Sequence, residues 1–191
     1  MLSASHLYRI ATHPMRLALY TFGMFRKPAA DPANDAFHAL NDAVLARVDR
    51  APGLIARSGY QSDGDATSWG AEVLPRFYTE RGDGWSPATL SLWTDLESLF
   101  AFTYSGLHAA ALRRGREWFQ TPEWPPLVMW WHTDAGCYPT WADGVWRHAH
   151  LHDHGPTLTA FDFNSPFDRQ GRPTKLDPTR LRAIRAERDD H

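Results

Sequence analysis

Two groups of histidines have the residue type and setting to do chemistry. His108 lies in FAFTYSGLHAAALRRGREWF (100–119), an apolar and aromatic stretch, just after Ser105-Gly106 and just before Arg113, Arg114 and Arg116. Three roles suit it: a ligand to a cofactor, a proton-transfer group, or a helix-terminus residue that serves only the fold. Ser105 can cap a helical piece that begins at the break, which puts His108 in its first turn. A helix N-terminus disfavours the imidazolium by about 0.3–1 kcal/mol. The ring then stays neutral, as a ligand or a proton acceptor requires. Where the break is slight, Phe100, Tyr104, His108 and Leu112 share one helix face, a setting that suits a flat aromatic ligand.

The second group is WRHAHLHDHG (146–155). His148/His152 and His150/His154 are each spaced i,i+4, which can clamp a metal on one helix face. The two pairs point in different directions, so they cannot form one four-ligand site, and no HExxH motif is present. The expectation is a solvent-facing helix C-terminus, where protonated histidines suit the dipole. Arg57 sits between apolar residues in a strand and needs a partner if it is buried; a salt bridge and an anion-holding role both remain open. The three arginines after His108 read either as carboxylate holders or as a solvated face pairing with Glu117. Trp130 and Trp131 fall on opposite faces of their strand, so only one of them can line a given pocket. No nucleophile elbow, P-loop or GxGxxG appears, which disfavours phosphate-binding and nicotinamide-dependent enzymes.

These residues need elements to position them. LALYTFGMFR (17–26) reads as a strand with both faces apolar. Asp31 is the N-cap, with Pro32 at the first helical position, of a helix carrying Phe37, Leu40, Val44 and Val48 at helical spacing. Pro52-Gly53 ends it. LIARSGY (54–60) is a second strand and TLSLWT (89–94) a third; between them runs a long polar connection with an edge hairpin around VLPRFY. Thr94-Asp95-Leu96-Glu97 forms a capping box for the helix that carries His108. Its period sends Leu96, Leu99, Thr103 and Leu107 to the sheet. WPPLVMWWHT (124–133) is a fourth strand, and Thr140 with Asp143 caps a helix that Gly155 ends. LTAFDF (158–163) makes a short strand, and Asp177-Pro178 starts a last helix.

That order predicts an α+β class, a ferredoxin-like four-stranded antiparallel sheet with helices on one face. The other face would carry Tyr20, Phe22 and Met24 from the first strand and Leu127, Met129 and Trp131 from the fourth. A bare apolar face of that size pairs, which predicts a homodimer, sheet against sheet. The domain spans 17–163, with an N-terminal arm at 1–16 and a C-terminal extension at 164–191.

The totals narrow the field. The 191 residues make one domain, enough to bury about 70% of the unfolded chain's surface. The net charge of −2 gives no nucleic-acid footprint. A single cysteine, Cys137, allows no intrachain disulfide and no cysteine-based zinc site. No run of 18 apolar residues and no leader h-region occurs, so the expected setting is cytoplasmic, without a membrane partner. Nine tryptophans are unusual; either the core is aromatic or some rings line a pocket.

PGLIAR (52–57), DGDAT (63–67), LSLWTDLESLFAFTYSGLHAAALRRGREWF (90–119), LVMWW (127–131) and HGPTLTAFDF (154–163) resemble an uncharacterised domain family of the dimeric α/β-barrel superfamily. Antibiotic-biosynthesis and haem-degrading monooxygenases belong to that superfamily. The resemblance implies a small-molecule enzyme, oxygenating or rearranging a planar or aromatic hydrophobic substrate by proton transfer. His108 and Tyr104 would be catalytic, with Phe22, Arg57, Trp93, Phe100, Leu112 and Trp131 around the substrate. A strand-three Trp followed by a broken helix with a His looks like the haem-degrading branch, where the His matching His108 ligates haem and the Trp matches Trp93. No cofactor is otherwise expected. A haem-binding protein and a non-catalytic dimeric binding protein are the alternatives. The chain departs from the pattern at Ala56, where a bulky aromatic is expected, a change that enlarges or reshapes a pocket. Neither the substrate nor the role of the C-terminal extension is legible.

Overall fold

A computed structural model describes residues 15–61, 64–65, 67–133 and 136–189. Four strands, β1 (Arg16–Phe22), β2 (Leu54–Arg57), β3 (Ala88–Trp93) and β4 (Leu127–His132), form one sheet in the order β2-β3-β1-β4. Every pairing is antiparallel. The helices are α1 (Asp35–Val48), α2 (Leu96–Thr103), α3 (Gly106–Trp118), α4 (Trp141–His154) and α5 (Pro178–Asp189). This is the ferredoxin-like α+β arrangement. Among the described residues no helix is long and apolar enough to cross a membrane.

Strand register decides which side chains meet. Tyr20 lies opposite Val128 and Leu90, and Ala18 opposite Trp130 and Leu92. Directly paired residues share a face, so Tyr20, Phe22, Val128 and Trp130 look one way. Leu17, Leu19, Leu127, Met129 and Trp131 look the other. The expectation that put Tyr20, Phe22 and Met24 on one bare face with Leu127, Met129 and Trp131 is corrected by this register. α1 and α2 cover the second face through Val48, Leu96 and Leu99. The first face is not bare: Trp141 and Leu151 of α4 pack on it. The ground for a sheet-to-sheet homodimer falls with that, because α4 already fills the place of the second sheet.

Several local signals act as read. Asp31 caps a 3-10 turn, Pro32–Asn34, that leads into α1. Thr140 and Asp143 form a reciprocal capping box on α4, and Gly155 closes it at φ +73°. Others act differently. The cap of α2 is Asp95, not Thr94: its Oδ1 accepts from Ser98 N at 2.7 Å, while Glu97 reaches away and accepts from Asp177 N. β1 stops at Phe22 and β2 at Arg57, shorter than expected, and residues beyond them pair only singly, as in Phe25 with Phe119. The expected strand at 158–163 is likewise reduced to isolated bridges, Met129–Phe161 and Thr157–Ala160. VLPRFY forms no hairpin; Pro75 O accepts from Tyr78 N in a tight turn, and the segment packs Phe77 and Tyr78 as a strap against the core on the α4 side.

The expected N-terminal arm lies outside the described residues apart from Met15 and Arg16, and Arg16 opens β1. The chain after 163 returns to the domain. Phe167 and Leu176 pack on the α2 side of the core, and Ile184 of α5 is buried.

Candidate functional site

The break that carries His108 is sharp. Ser105 is extended (φ −138°, ψ 163°) and Gly106 sits at φ +57°, a conformation that favours glycine. Ser105 flanks α3 without capping it; its hydroxyl donates back to Ala101 O. A break this sharp gives α3 a different face from α2. Phe100 and Tyr104 meet each other (4.7 Å between centroids) and Phe163, whereas His108 turns onto Phe102 at 5.0 Å. Its Nδ1–H donates to Thr103 O at 2.8 Å. Burial lowers its pKa, partly offset by that carbonyl. Tyr104 and Leu112 are 46% and 49% exposed.

The other expected ligand-lining residues are dispersed. Trp93 is buried on the α2 face and touches Phe102. Trp131 donates to Phe167 O, with the Arg169 guanidinium over its ring. Phe22 lies on the opposite face, under α4. Arg57 is held by Asp49 through two hydrogen bonds of 2.7 and 3.2 Å, so of the two roles left open for it the structure supplies the salt bridge. His108 and Tyr104 thus share no single cavity with these six residues. A haem finds a free Nε2 on His108, since Nδ1 carries the proton. Phe102 packs on that ring, however, and His108 lines neither cleft described below. The residues present do not fit haem.

Two open clefts lie among the described residues away from His108. One, about 650 Å³, runs along the free edge of β2, with Ala56 on its floor and Trp69 stacked on Tyr138 (4.5 Å, 2° between planes) as a wall. Ala56, where a bulky aromatic is expected, lines this cleft. The other, about 370 Å³, lies between Trp131 and Arg169.

The densest chemistry is sealed beneath α4. Trp141, Gly144, His148 and Leu151 are the buried positions of that helix. Gly144 lets the helix come down on Tyr20: a Cβ there would meet the ring at 2.7 Å. His148 is 0% exposed, so the expectation of a solvent-facing histidine cluster is corrected for it. The reason is its position: spacings of 3, 4 and 3 from Trp141 put it on the buried stripe. Its outer neighbours behave as expected. His150 and His154 stack on each other at 4.4 Å, and His152 contacts Asp153. Among the described residues no cluster of metal-ligating side chains occurs.

Around His148 lie Tyr20 (5.5 Å between centroids), Phe22 (6.4 Å) and Phe77 (5.3 Å). Trp141 packs edge-on to Tyr20 and stacks on Tyr60, and Trp124 stacks on Phe77. His148 Nε2 sits 2.6 Å from Pro125 O. A carbonyl only accepts, so Nε2 carries the proton and the neutral ring keeps a bare lone pair on Nδ1. Burial lowers the pKa of His148; the Pro125 carbonyl partly offsets this, and the nearby Arg76 guanidinium lowers it further. Burial also pushes the Tyr20 phenol well above its ordinary range.

Among the described residues six buried side-chain polar atoms lack a hydrogen-bond partner: Arg81 Nε and Arg147 Nε, on guanidinium groups bonded through their other nitrogens, and four atoms of this layer, Tyr20 Oη, Trp124 Nε1, Trp141 Nε1 and His148 Nδ1. An unsatisfied buried group costs about 1–3 kcal/mol, so four of them offset much of what the buried rings contribute. Native folds keep few such groups, and each calls for an explanation.

A strap closes the layer on one side. Residues 71–81 contain no helix or strand, and Gly70, Gly82 and Gly84 flank them at positive φ. The strap puts Phe77 on His148 and is tied to α4 by Arg76, which donates to Asp153 and His152. That tie is solvent-exposed and adds little to holding the strap; the Phe77 contacts hold it more.

The aromatic layer escaped the sequence reading because its members come from β1, the strap, the Pro125 turn and α4. The usable signal was the helical period through Trp141, His148 and Leu151. No curated protein matches the chain. Residues 16–177, from the start of β1 to the residue before α5, match the model of DUF3291, a domain of unknown function, and the chain therefore belongs to that family.

Proposed function

We propose that the protein is a small-molecule enzyme whose planar, aromatic ligand occupies the layer between α4 and the sheet. The observation that carries this reading is the set of unpartnered polar atoms, Tyr20 Oη, Trp124 Nε1, Trp141 Nε1 and His148 Nδ1, in an otherwise apolar aromatic bed. Ligand sites are mostly apolar with a few polar groups that fix orientation, and three donors with one acceptor suit a flat ring bearing an oxygen. Phe77 is the placeholder. It stacks on Trp124 and stands edge-on to His148, so a ligand ring that displaces it inherits both contacts. The ferredoxin-like sheet agrees with a relation to the dimeric α/β-barrel monooxygenases, and a proton-transfer or oxygenation reaction on a planar substrate follows from that relation.

The test is binding of 2-naphthol, followed by tryptophan fluorescence and thermal shift. Saturable binding is expected. Tyr20→Phe and Trp124→Phe should each weaken it about 5–30-fold, the loss of one hydrogen bond of about 1–2 kcal/mol. Absence of saturable binding at millimolar 2-naphthol contradicts the reading, and so does binding that both variants leave unchanged.

A further inference from the structure

We infer that His148 Nδ1 is a general base that removes a proton from the carbon next to a carbonyl, and that the substrate class is an aromatic-fused, enolisable ketone. This rests on the ligand position proposed above and adds the reaction. Three features point to it. First, Pro125 O fixes the tautomer by accepting from Nε2 at 2.6 Å, so the inward nitrogen bears no proton. A carbonyl behind an imidazole also steadies the cation that forms once the ring takes a proton. Second, the hydrogen-bond donors without partners in the same layer, Tyr20 Oη and the Trp124 and Trp141 indole N–H groups, are what a developing enolate oxygen needs. Third, the phenol of Tyr20 stays protonated, and hence a donor, because burial disfavours its anion.

The step balances without an oxidant, a metal or a cofactor. The C–H bond breaks and its proton goes to His148 Nδ1. The electron pair of that bond forms a carbon–carbon double bond to the carbonyl carbon. The carbonyl π pair moves onto oxygen, held by the donor groups. Return of the proton from His148 to a carbon of the enolate regenerates the base and gives an exchanged or rearranged ketone. His108 takes no part: it lies on the other side of the sheet, against Phe102 and Thr103 O.

The probe is 2-tetralone in D2O, with loss of its α-proton signal followed by NMR. The wild-type chain should exchange that proton at least about 100-fold faster than buffer, the usual scale of general-base catalysis. His148→Gln, whose amide can still donate to Pro125 O, should abolish the acceleration while circular dichroism stays native. Tyr20→Phe should reduce it about 10-fold or more, and His108→Gln should leave it unchanged. Exchange no faster than buffer overturns the inference, as does a His148→Gln chain that exchanges like wild type. If 2-naphthol binds and 2-tetralone does not exchange, the base role fails and the ligand position stands. If neither occurs, both fail.

Discussion

His108 and His148 are alike in three ways. Each sits on a helix, each donates one ring N–H to a backbone carbonyl, and burial holds each neutral. They differ in company. The carbonyl that His108 meets, Thr103 O, belongs to the last residue of α2, so its hydrogen bond completes the helix break. The carbonyl that His148 meets, Pro125 O, lies 23 residues away, and the other ring nitrogen faces a layer in which three further polar atoms lack partners. A local partner explains a histidine as part of the fold. A distant partner on one nitrogen and none on the other leaves a function to be explained.

The largest effect that separates them is thermodynamic. His148→Ala removes a ring packed on Tyr20, Phe22 and Phe77 and strips Pro125 O of its donor, so we expect a loss of about 2–4 kcal/mol in denaturant unfolding. Gly144→Ala should cost about 1–3 kcal/mol, since its Cβ drives α4 off the Tyr20 ring. The counterpart on α3, Gly115→Ala, meets nothing nearer than Phe119 at 3.8 Å and should stabilise by about 0.5–1 kcal/mol. Equal effects at the two glycines would mean that α4 is not seated as described. His108→Ala should cost about 0.5–1.5 kcal/mol, one partly buried hydrogen bond, and leave 2-naphthol binding intact.

How much of this was legible beforehand follows from the range of each interaction. Asp31-Pro32, Thr140/Asp143 and Gly155 act within a few residues, and they sit where the sequence put them. The ferredoxin-like sheet came from the order of strands and helices along the chain. What did not follow was which strand face meets which. Tyr20 and Leu127 each look apolar and alternating, and only the pairing of Tyr20 with Val128 separates their faces. Trp141, His148 and Leu151 lie on one helical stripe, but four histidines spaced two apart near a helix C-terminus read together as solvent-facing. The strap is the hardest case. Phe77 and Arg76 sit in a polar connection, and nothing local reveals that Phe77 packs on His148, 71 residues further on.

Two smaller effects sharpen the comparison. Acid should act on both histidines with one sign. Their pKa values are lower in the folded chain than the ordinary 6.5 or so, so below that pH the unfolded chain binds more protons. Their contribution to stability is complete above about 6.5 and is lost as the pH falls toward the folded values. The melting temperature should fall from pH 7 to 5, and His148→Gln should flatten the slope by its share. Arg76→Ala should leave stability nearly unchanged, yet speed 2-naphthol association, because the strap that carries Phe77 loses its tie to Asp153. An unchanged association rate would mean that the strap does not gate the layer.

The central claim is that the inward nitrogen of His148 is an unprotonated base beside the ligand. Long-range 1H–15N correlation spectra of the histidine side chains test it most directly. The account predicts that His148 shows a protonated Nε2 and a bare Nδ1 at pH 6, and that 2-naphthol moves the Nδ1 resonance of His148 while His108 stays in place. A His148 that is already imidazolium at pH 6, or a 2-naphthol response confined to His108, would contradict it.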